Sequence, residues 1–508
     1  MRKASLNVSS DLVLFADKNQ INKDACISFL IKVYLGEAMI SIFNPLCFSA
    51  VALDVMACGR SSTDANKVVQ KKRLSRLLLD ATQHSRFYRD RLNGQLSESN
   101  ELIDLPLVTR AELMSEFDDW VTDPQLKLEE LRTFTADPHK IGVPYLGKYL
   151  VWESSGTRSE PGIFVQDAQS LAVYDALESL RRSAPRPYQA WFDPLMMNER
   201  IAFVGATTGH FSSIVTMLRL RQVNPLMAQK LRCFSILQSP KALINELNAY
   251  APTVIATYPT VASLLAEEFS HGFLKFKPKE VWTGGETLTN ATRRHVEQTL
   301  GCAVRNSYGA SEFMSIGWEC RLGNMHANTD WVILEPVDEC GRPVPAGQPS
   351  CSTLLTNLAN YVQPLIRYDL GDQVTLMSER CACGSSFPVI EVQGRCDDSL
   401  VMQGRDGRLV TLLPLALSTV LEDEAGAFNF QLCKRDDRSL VLSLEGSGPD
   451  VKMMGERCRT VLKTFLKTQG LVSIHLTVKL GQILNKGRSG KVQRIVSQVN
   501  NKPNSFFD

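Results

Sequence analysis

Six short stretches hold side chains suited to gripping a phosphorylated ligand and stabilising charge that develops on it. Ser154-Ser-Gly-Thr157 opens a loop running to Gly162, behind the apolar run Tyr149–Trp152. Its hydroxyls and Gly156 leave the backbone accessible and free to take positive φ. Successive N–H groups there can form a concave nest for a phosphate chain, an ordinary surface loop being the alternative. Gly284-Gly-Glu286 is a second glycine-rich turn. Asn306-Ser-Tyr-Gly-Ala-Ser-Glu312 offers a ring that can stack on a purine (Tyr308), Gly309 beside it, and a carboxylate (Glu312) that can hold Mg²⁺, an ion that needs one or two protein oxygens. In Arg367-Tyr-Asp-Leu-Gly-Asp372 the final acid can take both hydroxyls of a ribose. Gly394-Arg-Cys-Asp-Asp398 places a Gly and two acids before a new apolar run, as an interdomain hinge would. Lys486-Gly-Arg-Ser-Gly-Lys491 carries a lysine on a Gly/Ser loop. It is not a P-loop, because Asn485 stands where the first Gly should be.

The chain between these stretches alternates in a way that can bring them together. Helix Asp167–Arg182 follows the serine-rich loop. The strand Ile201–Val204 runs into the turn Gly205–Phe211, Val254–Thr257 into helix Val261–Phe269, and Glu280–Thr283 into helix Asn290–Leu300, with strand Ala303–Asn306 beyond. Such alternation predicts βαβ units and a largely parallel sheet, hence the α/β class. Ligands gather at the carboxyl ends of such strands. The residues Ser154–Thr157, Gly205–His210, Tyr258–Thr260, Gly284–Glu286 and Asn306–Glu312 are therefore expected around one crevice. Upstream, Thr109 and Glu112 have the spacing of a capping box. Asn66–Leu92 reads as a basic amphipathic helix, for which a solvated face is favoured over a docking face for an acidic carrier protein.

Bulk composition narrows the class. A chain of 508 residues with 44% hydrophobic residues can bury a sizeable core. A net charge of +2 argues against a nucleic-acid binder, which shows a strongly basic footprint. Thirteen cysteines, an odd number with no signal-peptide pattern, fit a reduced cytoplasmic protein. Ala25–Ala57 is apolar-rich but broken by Lys32, Glu37, Asn44 and Pro45, whereas a membrane span needs about 20 nearly uncharged residues. It reads as a helix lying on the protein or on a membrane surface, with a span as the less favoured alternative, and membrane association is not expected. Residues 1–38 match no pattern, and Met39 is an alternative first residue.

Taken in order, Ser-Ser-Gly-Thr, Gly-Gly-Glu, Tyr-Gly-x-Ser-Glu, Arg-Tyr-x-x-Gly-Asp, Gly-Arg-x-Asp-Asp and Ser-Gly-Lys resemble the adenylate-forming superfamily of acyl- and aryl-CoA ligases. Ser85-Arg-Phe-Tyr-Arg-Asp-Arg-Leu92 and the pairs Glu319-Cys320 and Cys381-Ala-Cys383-Gly384 resemble its phenylacetate–CoA ligase-like branch. The resemblance spans roughly Met39 to Val499. It implies a lead-in over 1–63, a large multi-subdomain AMP- and acid-binding domain over 64–394, and a small α+β C-terminal domain over 395–508 that rotates. It also implies ATP-dependent activation of a small-molecule carboxylic acid to an acyl-adenylate, then transfer to a thiol of CoA or an acyl carrier protein. By the same resemblance Ser154, Ser155, Gly156 and Thr157 would cradle phosphates, with Gly285, Glu286, Asn306, Tyr308 and Gly309 around the nucleotide. Glu312 would hold Mg²⁺, Asp372 and Arg395 the ribose, Asp397 would be the hinge, and Lys491 would meet the reacting carboxylate and α-phosphate. One departure stands out: Arg158-Ser-Glu-Pro-Gly162 lacks the lysine that often ends the phosphate loop, and Arg158 is a partial substitute.

The acid pocket is expected from His210, Phe211, Tyr258, Trp282 and Gly284. His210 either meets the substrate or is a satisfied structural histidine. The aromatic walls favour an aryl or arylalkyl acid. Cys320, His326, Cys381 and Cys383 suit a tetrahedral structural zinc, with four reduced surface residues as the alternative. Two other functions remain open: an amide-forming synthetase and an inactive nucleotide-binding scaffold.

Overall fold

The structure is a computed structural model that describes residues 42–92, 102–154, 161–182, 199–393, 400–404, 407–427, 430–446, 448–482, 484 and 494–497. The Asn44-Pro45 pair, which interrupts the apolar run in the sequence, starts a helix. The Asn44 side chain accepts from the N–H groups of Leu46 and Cys47, and Pro45 fills the first turn, where no N–H is needed. This helix, α1 (Pro45–Arg60), buries Val55 in the main core, together with Ile42 just ahead of it. Among the described residues no helix is long and apolar enough to cross a membrane. In α2 (Thr63–His84), the basic helix, Arg73 pairs with Asp54 and lies 3.5 Å over the Trp331 ring, while Arg76 lies 5.5 Å from Tyr361. Lys67, Lys71 and Lys72 stay exposed, as a solvated face requires. The capping box forms at the start of α3 (Arg110–Ser115).

The serine-rich loop is not a strand-to-helix turn of the parallel sheet. It joins β1 (Leu150–Glu153) to β2 (Ile163–Gln166), which pair antiparallel as a two-stranded hairpin. Backbone bonds still bring it to the expected crevice: the Glu153 N–H donates to the carbonyl of His210 at 2.8 Å. The hairpin is followed by α4 (Ala168–Arg181), capped by Asp167.

The main sheet has seven strands. Its parallel part contains β3 (Ile201–Gly205), β4 (Leu231–Ser235), β5 (Val254–Thr257), β6 (Glu280–Thr283) and β7 (Ala303–Tyr308). The strands β8 (Gly317–Glu319) and β9 (Met325–Ala327) extend it antiparallel, and the order is β4-β3-β5-β6-β7-β8-β9. Residues in register share a face. Ala202, Ile255, Val281 and Val304 point to one face and form a core with helices Pro240–Tyr250, Pro259–Ser270 and Asn290–Leu300. Ile201, Phe203 and Ala256 point to the other, towards α5 (Ser212–Val223). Helices on both faces are what a buried parallel sheet needs.

Beyond the sheet, β10 (Val332–Val337), β11 (Ser352–Asn357) and β12 (Tyr368–Asp369) form a three-stranded sheet. Three buried amides join this region to the hairpin and to the 306–312 turn. Gln363 Nε2–H donates to the Ile163 carbonyl at 2.9 Å, Asn360 Nδ2–H to Val165 at 2.8 Å and Asn357 Nδ2–H to Glu312 at 2.9 Å. The C-terminal part contains a two-stranded and a four-stranded sheet with a long helix, Pro449–Thr468. Its apolar residues Leu413, Leu417 and Leu421 share a core with the helices beneath the main sheet, and the Asp423 carboxylate lies against Gly209.

Candidate active site

A cleft of about 1760 Å³ lies at the carboxyl ends of the parallel strands. That exceeds the roughly 300–1,000 Å³ of a typical single-ligand pocket, so there is room for two substrates. Of the residues singled out in the sequence, Ser154, Phe211, Tyr258, Trp282, Gly284, Gly285, Glu286, Asn306, Tyr308, Gly309, Glu312 and Asp372 line it. Ser155, Gly156, Thr157, Arg395, Asp397 and Lys491 lie outside the described residues.

The neck of the serine loop is closed by Ser154. Its N–H donates to the Gly162 carbonyl and its Oγ accepts from the Gly162 N–H, each at 2.8 Å. Gly162 is needed for this approach, since a Cβ there would lie 2.9 Å from Arg110 Cδ. Arg110 Nη1 donates to Ser154 Oγ at 3.2 Å, which brings a fixed cation to the loop's base. The sequence reading missed this residue. Its signal was local: a basic side chain opens a helix where the macrodipole favours an acid, so another interaction must hold it there.

Across the cleft, Tyr308 Oη donates to Asp372 Oδ2 at 3.0 Å, joining two motifs from different sheets. Glu312 is buried and accepts from the Tyr368 hydroxyl at 2.7 Å. Burial pushes its carboxyl up from the ordinary 4.5, the Tyr368 bond and the nearby Arg110 guanidinium oppose that, and Asp372 adds to it. A buried carboxylate facing a polar cleft suits a divalent cation. Gly309 lets the turn fold back on itself: a Cβ would fall 2.0 Å from the Met314 carbonyl oxygen. Asn306 Oδ1 accepts from Thr283 Oγ1 at 3.0 Å, and Glu286 accepts from the N–H of Thr260 at 3.0 Å and from its hydroxyl at 2.8 Å. Burial pushes the Tyr258 phenol up to about 12, so it stays a neutral donor in the cleft wall.

His210 stands apart from the other expected acid-pocket residues. Its side chain is buried, with Nε2 3.1 Å from the Asp137 carbonyl and the ring 5.6 Å from that of Phe134, and it does not line the cleft. The cause is the backbone: its carbonyl pairs with β1, which places this stretch as an edge of the hairpin and turns the ring into the core.

Cys320, His326, Cys381 and Cys383 converge, with all ligand atoms within 4.8 Å of one another. Two thiolates each about 2.3 Å from a tetrahedral Zn²⁺ would be roughly 3.8 Å apart, and Cys320 Sγ and Cys381 Sγ are 3.9 Å apart. Cys383 Sγ to His326 Nε2 is 3.4 Å. His326 Nδ1 is 2.8 Å from the Phe387 carbonyl, which as acceptor fixes the proton on Nδ1 and leaves the Nε2 lone pair for a metal. Burial opposes ionisation of Cys381, yet the Cys383 N–H and the Asn324 amide bring its thiol down to about 6. The donor set, its spacing and the Phe387 carbonyl that orients His326 fit zinc.

Comparison with known proteins agrees with this geometry. Residues 221–350 match the AMP-binding enzyme family. A phenylacetate–coenzyme A ligase of Thermus thermophilus is 34% identical over 34% of this chain and 39% of its own length. Protein CapK of Staphylococcus aureus is 28% identical over 35% of this chain and 38% of its own. The chain thus spans about two fifths of the length of these curated relatives. A crystal structure of 2-hydroxyisobutyryl-CoA ligase, in complex with 2-HIB-AMP and CoA in the thioesterification state, has a TM-score of 0.55 at 17% identity, covering 87% of this chain and 91% of that one. The chain shares the fold of this 2-hydroxyisobutyryl-CoA ligase.

Proposed function

From an AMP-binding segment seated in an acyl-CoA ligase fold, we propose that this protein activates a carboxylic acid with ATP and passes the acyl group to the thiol of CoA. The observation that carries the reading is the Tyr308–Asp372 hydrogen bond, at 3.0 Å, in the same cleft as Glu312 and the neck of the serine loop. Motifs scattered along the chain thereby meet around a space sized for a nucleotide and an acid. Two of the similar proteins are coenzyme A ligases, which supports CoA as acceptor; a carrier-protein thiol offers the same chemistry. The reduced state of the described cysteines suits a cytoplasmic setting.

In this reading an oxygen of the substrate carboxylate attacks the α-phosphorus of ATP and the bond to pyrophosphate breaks. The CoA thiolate then attacks the acyl carbonyl, and AMP leaves. Both steps gather negative charge on oxygen, so preorganised cations and N–H donors lower the barrier. The loop Ser154–Thr157 would hold the phosphates, with Arg110 supplying a cation at its base. Tyr308 would lie along the adenine, Asp372 and Arg395 would take the ribose, and Gly285, Glu286, Asn306 and Gly309 would shape the nucleotide wall. Magnesium, when bound, would offset phosphate charge, and Glu312 is its ligand in this reading. Lys491, on a C-terminal domain over 395–508 that hinges at Asp397, would meet the reacting oxygens. Phe211, Tyr258, Trp282 and Gly284 would contact the acid. Cys320, His326, Cys381 and Cys383 would hold a zinc that, having four protein ligands, stabilises the fold without joining the reaction.

The test is ATP–pyrophosphate exchange across a panel of aromatic and aliphatic acids, with Lys491→Ala alongside. Exchange with at least one acid is expected, cut about 100- to 1000-fold by the substitution. ATP binding without exchange for any acid would favour an inactive scaffold, and full exchange in the variant would remove Lys491 from the chemistry.

A further inference from the structure

The acid end of the cleft has a depth that follows from strand register. On the α5 side of the sheet, Gly284 marks the rim. One row inward stand Phe203, Ala256 and Trp282, and the next row holds Leu231, Ile201, Val254 and Glu280. All of these except the fully buried Val254 border the cleft, which continues along both inner rows. Four residue steps lead from Gly284 back to Glu280, about 13 Å at 3.2–3.4 Å per residue. The facing wall is a stripe of α5, Ser213, Thr216, Met217, Leu220 and Val223, at helical spacing. From Ser213 to Val223 it runs about 15 Å at 1.5 Å per residue, with Met227 beyond its end. The two walls agree in length. Ala256, the small side chain between Phe203 and Trp282, leaves the floor open at its middle. Past the Phe203–Trp282 row, the walls are mostly the aliphatic and thioether groups of Ile201, Leu231, Met217, Leu220 and Val223. At the far end Glu199, ion-paired with Lys279 at 2.9 Å, and Glu280, which accepts from Trp282 Nε1 at 2.8 Å, line the space.

We propose that this trough takes the apolar tail of an elongated monocarboxylic acid, a straight-chain acid of medium length, in preference to a compact aryl acid. The carboxylate would sit at the Gly284 rim beside the nucleotide, and the tail would run under α5 towards Met227. Aliphatic walls would leave a second carboxylate without a hydrogen-bond partner, so a dicarboxylate would be disfavoured by desolvation. The carboxylate's assignment to the rim rests on the ligase reading; the trough itself does not.

Two measurements separate these claims. The first is ATP–pyrophosphate exchange with butanoate, hexanoate, octanoate, decanoate, suberate, benzoate and phenylacetate. The second is calorimetric titration of the same acids without ATP. Specificity should rise about fourfold for each methylene buried, peak at octanoate or decanoate, and collapse for suberate. Ala256→Phe places a ring across the floor and should cut the octanoate-to-butanoate ratio at least tenfold; Leu220→Trp should do the same from the opposite wall. Because each ratio is read within one protein preparation, partial unfolding cancels. If benzoate or phenylacetate outperforms every straight-chain acid, or if neither substitution moves the ratio, the trough proposal fails while the ligase reading stands. If octanoate binds in calorimetry and Ala256→Phe abolishes that, yet no acid supports exchange, the trough stands and the ligase reading falls.

Discussion

Replacing Arg110 with alanine should disable adenylate formation while leaving the fold in place. The guanidinium is anchored by a bond of 3.2 Å from Nη1 to Ser154 Oγ, and its stem packs against the bare backbone of Gly162. A hydrogen bond from a charged donor is worth about 1.5–3 kcal/mol, but the loop neck also has the two Ser154–Gly162 bonds at 2.8 Å, so stability should fall only modestly. A preorganised cation or donor aimed at developing charge is worth about 2.7–4 kcal/mol in the transition state, or 100- to 1000-fold in rate. The expected result is a loss of that size in exchange kcat, with a shift in Tm of a few degrees. Arg110→Lys should recover part of it, keeping the charge but losing the fork. A second readout follows from Glu312, whose carboxyl burial pushes up and the Arg110 charge pulls down. Without Arg110, Glu312 takes its proton at higher pH, so the acid limb of the pH–rate profile should move to the alkaline side. An alanine variant with wild-type exchange and an unmoved acid limb would refute the role assigned to Arg110.

Gly309→Ala should lower Tm, since its Cβ would fall 2.0 Å from the Met314 carbonyl oxygen; overpacking of this kind costs about 1–3 kcal/mol. Exchange should fall further than the Tm shift explains, because the same turn carries Tyr308 and Glu312. Glu312→Gln should abolish exchange yet stabilise the protein without nucleotide at pH 8. The native carboxyl titrates above its ordinary 4.5, so its protonated form favours folding below that value and this contribution is lost as pH rises through the folded value. The Tm gain of the variant should therefore shrink towards acid pH, and a constant gain would contradict the burial argument. Purified protein should contain one zinc per chain by mass spectrometry, and Cys383→Ser or chelation should lower both zinc content and Tm. Metal-free protein with unchanged Tm would exclude the site.

Where local pattern and tertiary environment agree, the elements were legible in the sequence. Strands Val254–Thr257 and Glu280–Thr283 and helix Asn290–Leu300 are found at the expected residues. Each is an apolar or amphipathic run between clear turn residues, and its position in the sheet follows from the same alternation. The hairpin was misread because β2, the partner of β1, lies beyond a Gly/Pro-rich loop, and nothing local distinguishes an antiparallel return from a crossover. Strand β4 and the helix Pro225–Lys230 went unread for a related reason: Leu231-Arg-Cys-Phe-Ser235 alternates weakly and carries a charge. The resemblance to phenylacetate–CoA ligases is matched by a relative of that name that is 34% identical over 34% of this chain. The depth of the acid trough was invisible, since it depends on which face of the sheet Ile201, Phe203 and Ala256 share and on how α5 lies across it.

Rigidity of the site has a source outside the recognised motifs. Glu312 must face the cleft as an acid while buried, and Ser154 must hold a loop neck at the tip of an isolated two-stranded hairpin, which alone is only marginally stable. The buried amides supply what these elements lack. Val165 N–H donates to Gln363 Oε1 at 2.8 Å while Gln363 Nε2–H returns to the Ile163 carbonyl at 2.9 Å, so β2 is held at an edge where no strand pairs with it. Asn357 Nδ2–H reaches the Glu312 carbonyl at 2.9 Å, and Tyr368, on the neighbouring strand of the same small sheet, reaches the Glu312 carboxylate at 2.7 Å. Glu312 is thus gripped at both backbone and side chain by the segment that also leads to Asp372. An unpaired buried amide costs about 1–3 kcal/mol, so this network resists any shift of one motif against another. The phosphate loop's neck, the carboxylate and the Tyr308–Asp372 pair consequently move as one frame, which is the condition for electrostatic groups to be in place before charge develops.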